Sequence, residues 1–229
     1  MKKTILKYMA VLFSAFTAVM FTSCPSSFIV TSDRNGNLVY YFETIAGSAT
    51  NDLIASFDNS IDKTSLENSI IFDTVEIERA LLKMGLKNPS ALAKKLADKK
   101  EELEITCSSS QDKFSFIKIK TDPKGIATQM EITLSPAILQ KLITEQNNII
   151  RTYADLLMAP CFTNEVMSKD EYIELVASLY GNDVAKDFTD GEISISLRNS
   201  LTKKRVNSVD IPIIDILTLS EEKTFVIDF

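Results

Sequence analysis

Residues 103–134 read LEITCSSSQDKFSFIKIKTDPKGIATQMEITL, three β-rich runs in succession. The runs 103–108, 113–121 and 126–134 are dense in Ile, Thr and Phe, residues that fit a pleated, half-buried surface. Asp122-Pro123-Lys124-Gly125 separates the last two. Pro presets φ there and Gly tolerates a positive φ, so the chain turns back on itself. Phe114, Phe116, Ile117 and Ile119 break strict alternation, which predicts one bulge. The stretch is therefore an antiparallel meander.

Upstream, runs at 28–32 and 38–45 flank Asp33-Arg34-Asn35-Gly36-Asn37. Asn-Gly between such runs predicts a hairpin. Residues 51–61 place Leu53, Ile54, Phe57 and Ile61 on one helical face. Asp73 and Glu76 have capping-box spacing ahead of Ile77, Ala80, Leu81 and Met84, with Gly85 as the stop. Asn88-Pro89 reads as an N-cap followed by Pro at the first helical position, predicting a helix through Leu92 and Leu96 to about residue 100.

Downstream, Ser135-Pro136 opens the longest expected helix, to about residue 158, where Pro160 ends it. Ser168 and Glu171 form a second capping box, closed by Gly181. Asp190-Gly191 turns into a strand at 192–197, and strands at 206–211, 213–219 and 224–229 follow. Val209, Ile211 and Ile213 alternate with Asp210 and Pro212, which predicts one buried face; Pro212 marks an edge or a break. This order of elements is α+β: antiparallel sheet, built of a hairpin and meanders, with several helices packed against it. The order of helices then meander occurs twice, over 50–134 and 135–229, without residue-level similarity. No Pro/Gly/Ser-rich linker divides the chain after Ser27, so 28–229 reads as one domain, a subdivision near 134/135 being the alternative.

With 45% hydrophobic and 24% charged residues, six Gly and six Pro in 229, the chain is neither collagen-like, low-complexity nor wholly disordered. It has no His. That removes Ser-His-Asp and Cys-His catalysis and every His-ligated zinc or haem site.

The N-terminus is a targeting segment. Lys2, Lys3 and Lys7 precede an uncharged, mainly apolar run of 14 residues, YMAVLFSAFTAVMF over 8–21, and then come Thr22, Ser23 and Cys24. A basic n-region followed by an apolar h-region of this length is a secretory signal peptide, and a membrane-spanning helix needs about 20 apolar residues. Phe21-Thr22-Ser23-Cys24 resembles the lipobox of bacterial lipoproteins, in a relaxed form similar to that of spirochaete lipoproteins; it matches at Thr22, Ser23 and Cys24 and departs at Phe21, where Leu is usual. The resemblance covers residues 1–24 only. It implies that Cys24 receives a diacylglycerol, that signal peptidase II removes 1–23, and that the new amine is acylated, with fatty chains such as palmitate. Residues 24–27 then form a lipidated Cys and a short tether, and the domain lies outside the cytoplasm on the cell membrane or outer membrane, held by its acyl chains.

Removal of 1–23 leaves 22 basic against 31 acidic residues, a net charge of −9. Such a body is repelled by phosphate backbones, so nucleic acid is not an expected partner; the membrane, an envelope protein or a lipid is.

Candidate sites are few. Cys107 and Cys161 are the other two thiols, and an exported compartment permits a disulfide between them; the alternative is two separate buried thiols. Asp33/Asn35/Asn37 and Asp58/Ser60/Asp62 begin like calcium loops but place Leu38 and Lys63 where Gly is required and Thr44 and Ser69 where Glu is required, so turn and helix-end roles are expected instead. Ser-x-x-Lys occurs five times, at Ser60/Lys63, Ser110/Lys113, Ser115/Lys118, Ser200/Lys203 and Ser220/Lys223, without companion motifs, which is chance. Asp183, Asp187, Asp190 and Glu192 read as a solvated helix end and turn; Lys94-Lys95, Lys99-Lys100 and Glu101-Glu102 read as a salt-bridged exposed face. Gln146 falls amid the stripe Leu139, Leu142, Ile143, Ile149, Ile150, Tyr153 and Leu157, as a satisfied structural amide or a polar contact in an apolar ligand cavity. No catalytic residue, cofactor or metal site is expected. The reading is a non-enzymatic binding, scaffolding or assembly protein at the membrane surface; the alternatives are a carrier or receptor for a lipid or other apolar molecule and, behind it, an envelope hydrolase working with carboxylates.

Overall fold

The computed structural model describes residues 26–33, 37–49, 52–53, 72, 74–83, 85–98, 100–109, 116–123, 127–144, 157–163, 165–198 and 205–228. The segments 1–25, 54–71 and 145–156, with the helix expected over 51–61 and the second half of the longest expected helix, lie outside the described residues or nearly so.

Two sheets face each other. The first contains β1 (Ser26–Ser32), β2 (Leu38–Ala46), β3 (Lys87–Lys95), β4 (Glu101–Ser109), β7 (Glu192–Arg198) and β8 (Arg205–Pro212), in the order β3-β4-β2-β1-β7-β8. All its pairings are antiparallel except β1 with β7, which is parallel. The second sheet is β5 (Ile117–Thr121), β6 (Ala127–Leu134) and β9 (Lys223–Asp228), in the order β5-β6-β9. The expected hairpin is β1–β2, closed by Asp33, whose carboxylate accepts from the Asn37 backbone N–H and side-chain amide at 2.8 Å each. A bulge occurs in β5, but at the register shift between Lys120 and Thr121 rather than at Phe116-Ile117, where the alternation breaks in the sequence.

Alternation decides which face each strand buries. Tyr40 and Phe42 point inward on β2, as do Leu103, Ile105 and Cys107 on β4, while Tyr41, Glu43 and Glu104 point out. From the facing sheet come Ile117, Met130, Ile132, Leu134 and Ile227. One continuous core joins both sheets and the helices. Strands from before and after residue 134 share both sheets, so the chain is a single α+β domain rather than two halves.

The helices are α1 (Thr74–Lys83), α2 (Pro136–Thr144), α3 (Pro160–Thr163), α4 (Lys169–Tyr180), α5 (Asn182–Asp190) and α6 (Ile213–Leu217). Helix α1 covers the free edge of β3, where Glu78 Oε1 accepts from the Ala91 N–H at 2.9 Å. That contact occupies a ladder donor which would otherwise pair with another chain. Helices α4 and α5 pack together and reach the core through Tyr172, Val176, Val184 and Phe188, and Lys169 pairs with Asp215 of α6. Gly191 connects α5 to β7 at a close approach: a Cβ would lie 2.7 Å from Ile213 Cδ1 and 3.2 Å from the Asp187 carbonyl, so a side chain there requires Ile213 to shift.

The capping box of α4 is present. The Glu171 N–H donates to Ser168 Oγ at 3.3 Å, and Glu171 Oε2 accepts from the Ser168 hydroxyl and N–H at 2.7 and 2.8 Å. These hydrogen bonds hold the Glu171 carboxyl below the usual glutamate range. A lowered carboxylate pKa contributes stability above the ordinary value, and the contribution is lost as pH falls through the lowered one. Ser168→Ala is expected to lower the melting temperature by about 2 to 4 °C near neutral pH, the difference from wild type shrinking in acid, as read by calorimetry.

Three expectations are corrected. The stretch 103–134 is not one meander: β4 belongs to the larger sheet and β5–β6 to the smaller, and β9 pairs with β6 instead of continuing β7–β8. Residues 88–100 are not a helix: 87–95 form β3. Asn88 takes φ 50° at a register shift between Lys87 and Ser90, so it shapes a bulge rather than capping a helix. Leu92 is exposed and Ala91 buried, the alternation of a strand. Residues 213–217 are helix α6 rather than a strand, and the backbone leaves the sheet at Pro212, the break that Pro marks. Helix α5 was expected only as a helix end.

Candidate functional site

The informative end of the molecule is the one at which β1 begins. Ser26 and Ser27, expected in the tether, are the first residues of β1. Ser26 is 1% exposed, and its hydroxyl bonds the Thr44 hydroxyl at 2.8 Å. Cys24 lies outside the described residues, and only Pro25 separates it from the sheet. β1 sits between β2 and β7, so the chain enters the larger sheet at its middle, not at an edge.

At the same end, β3 and β4 form a tight hairpin. The Leu96 N–H donates to the Lys100 carbonyl at 2.9 Å and the Lys100 N–H to the Ala97 carbonyl at 3.3 Å, with Asp98 in the left-handed region at φ 58°. The lysine run is therefore a β-turn and its flanks, not a helical face. Lys94 and Lys95 stand opposite Glu102 and Glu101 across the ladder, and the exposed Lys94–Glu102 pair spans 4.0 Å. Glu101 is 3% exposed, and its Oε1 accepts from the Phe72 N–H at 3.0 Å. Nothing in its sequence context, one acid among several, distinguishes it.

Of the two alternatives for Cys107 and Cys161, the structure has the separate thiols: both are free and buried. Cys107 faces inward on β4, beside Tyr40, and Cys161 lies in α3, near Tyr172 of α4. Burial pushes the Cys107 thiol up to about 12 and the Cys161 thiol higher still. Both stay protonated at neutral pH, which removes the nucleophilic form. Without reductant, the folded protein is expected to leave both thiols unreacted toward a charged maleimide, and unfolding in denaturant to expose two; one-step recovery of two thiols only after reduction would overturn this.

A small cavity of about 40 Å³ lies between the sheets, lined by Phe28, Phe42, Phe116, Ile132, Ile195 and Ile216 among others, all apolar. Sites for small ligands run to about 300 to 1,000 Å³. Gln146 lies outside the described residues. On the described part of the same expected helix, Gln140 donates to the Cys161 and Phe162 carbonyls at 3.2 and 3.4 Å, tying α2 to α3.

The remaining candidates are structural where they are described. Asp33 and Asn37 bond each other in the hairpin turn; Asp58, Ser60 and Asp62 lie outside the described residues. Asp183, Asp187 and Asp190 lie along α5, Asp190 paired with Lys186, and Glu192 starts β7. Ser220 and Lys223 are both exposed. Among the described residues, no three His, Cys, Asp or Glu side chains converge as a metal site would require. Comparison with known proteins found no matching family, no similar curated protein and no similar solved structure.

Proposed function

We propose that the protein is an exported bacterial envelope lipoprotein, anchored through acyl chains on Cys24, and that its domain acts without catalysis as a binding, scaffolding or assembly module at the membrane surface. The observation that carries the anchor is the sequence: three lysines, a 14-residue apolar run and Thr22-Ser23-Cys24. The fold is compatible with it. The described domain begins two residues after Cys24, and no described helix is long and apolar enough to cross a membrane. The module reading is supported by the cavity between the sheets among the described residues, which at about 40 Å³ is too small for an acyl chain. Mass spectrometry of the protein purified from membranes tests the anchor. The expected species begins at Cys24 and exceeds its polypeptide mass by a diacylglyceryl group, with or without a third acyl chain. A mature N-terminus elsewhere, without lipid mass, overturns it.

A further inference from the structure

We propose that Thr31, Ser196 and Arg198 form a binding site for a small carboxylate, on the face of the larger sheet that turns away from the core. The site is independent of the lipid anchor and stands or falls on β1 and β7 alone. Alternation and register assemble it. Val30 and Leu197 lie opposite each other in the parallel β1–β7 pairing, and both face the core. Thr31 and Arg198 are the next positions along, so they face outward side by side, about 5 Å apart at the strand spacing. Ser196 faces the same way, about 7 Å back along β7 and opposite Ile29. The three therefore share one patch, bordered on β1 and β2 by Ile29, Val39 and Tyr41.

What singles this patch out is a set of polar groups left without partners. Ser196 is 0% exposed and Thr31 8%. Thr31 Oγ1, Ser196 Oγ and Arg198 Nε are all buried, and none has a hydrogen-bond partner within the protein. Burying a hydroxyl or a guanidinium N–H unpaired costs free energy, so such groups are uncommon and point to something that completes them. Arg198 can only donate, and among the described residues no carboxylate pairs with it. Asp33, two residues beyond Thr31, has its carboxylate on Asn37. Asp210 stands opposite Ser194, about 13 Å along the sheet from Arg198.

The three groups require one acceptor that carries several lone pairs and a negative charge. A carboxylate meets this with two oxygens, which accept from both hydroxyls and from the guanidinium together. Charge selects it over a phosphate. After position 23 the chain holds 22 basic against 31 acidic residues, a balance that opposes a dianion more than a monoanion. Ile29, Val39 and Tyr41 make the border largely apolar, and a lower local dielectric strengthens each hydrogen bond to the ligand.

The test titrates the protein, purified in detergent, with carboxyl-labelled acetate against chloride at constant ionic strength. Saturable broadening of the acetate carboxyl resonance is expected, with a rise in melting temperature of about 3 °C at about ten times the dissociation constant. Ser196→Ala should remove most of that rise. Because it deletes an unpaired buried hydroxyl, it should leave melting in chloride unchanged or higher. Arg198→Gln should abolish both responses and Lys94→Gln neither. Broadening that does not saturate, or that survives Arg198→Gln, overturns the site. A response to inorganic phosphate equal to that to acetate overturns the carboxylate assignment. A Ser196→Ala protein that melts lower in chloride and keeps its acetate response also overturns the site, since that is how a hydroxyl satisfied within the fold behaves. Ser196→Ala removes a single buried atom, so the test stands even where Arg198→Gln does not fold.

Discussion

Cys24→Ala is expected to abolish incorporation of labelled fatty acid and to move the protein out of the lipoprotein route altogether. Each buried methylene contributes about 0.8 kcal/mol, and one chain anchors only reversibly, so two or three chains on a single residue carry essentially the whole attachment. Without the thiol there is no diacylglyceryl transfer and no substrate for signal peptidase II. The variant should then accumulate as precursor, held only by its 14-residue apolar run, or be cut elsewhere and appear in the aqueous phase on detergent partitioning. Label incorporation at wild-type level in Cys24→Ala would show that another residue carries the lipid.

The second large effect falls on folding. Phe188 of α5 is fully buried and helps fasten the α4–α5 pair to the core. Phe188→Ala is expected to destabilise by about 3 to 5 kcal/mol, the transfer term plus the cavity left behind. Domains are stable by only about 5 to 15 kcal/mol, so the denaturant midpoint should drop sharply or a loosened helical layer should appear. Val75→Ala, at an exposed position of α1, should change stability by less than about 0.5 kcal/mol. Equal midpoints for the two variants would mean that the helical layer does not share the cooperative unit. Soluble fragments for this work are best begun at Pro25, because starting at residue 28 deletes Ser26, which is buried against Thr44.

Local chemistry was legible wherever a residue imposes a backbone conformation by itself. Asn35-Gly36, Asp122-Pro123, Ser168 with Glu171, and Gly181 announce turns and caps that the structure forms nearby. The stretch 88–100 was misleading because its signals are local and its outcome is not. Asn-Pro resembles a helix start, and Ala, Leu and Lys are good helix formers, yet pairing of 87–95 with β4 outweighs a propensity worth a few tenths of a kcal/mol per residue. The same holds for 213–217, whose apolar run is as compatible with a buried helix as with a strand. At the candidate site, Cys24 stands out in the sequence by its neighbours. The turn at 96–100 was not legible, because it follows from the pairing of β3 with β4, and register is a property of the assembled sheet.

The parallel pairing of β1 with β7 has a consequence in time. A chain exported N-terminus first delivers β1 at the outset and β7 only when most of its residues have followed. Until then the first strand has at most one neighbour, and closing so long a loop makes the final pairing slow compared with the local hairpins β1–β2 and β3–β4. On the proposed export route, β1 would therefore still lack its β7 neighbour while the N-terminus is processed, and the strand would be closed on both sides only after Glu192–Arg198 arrives.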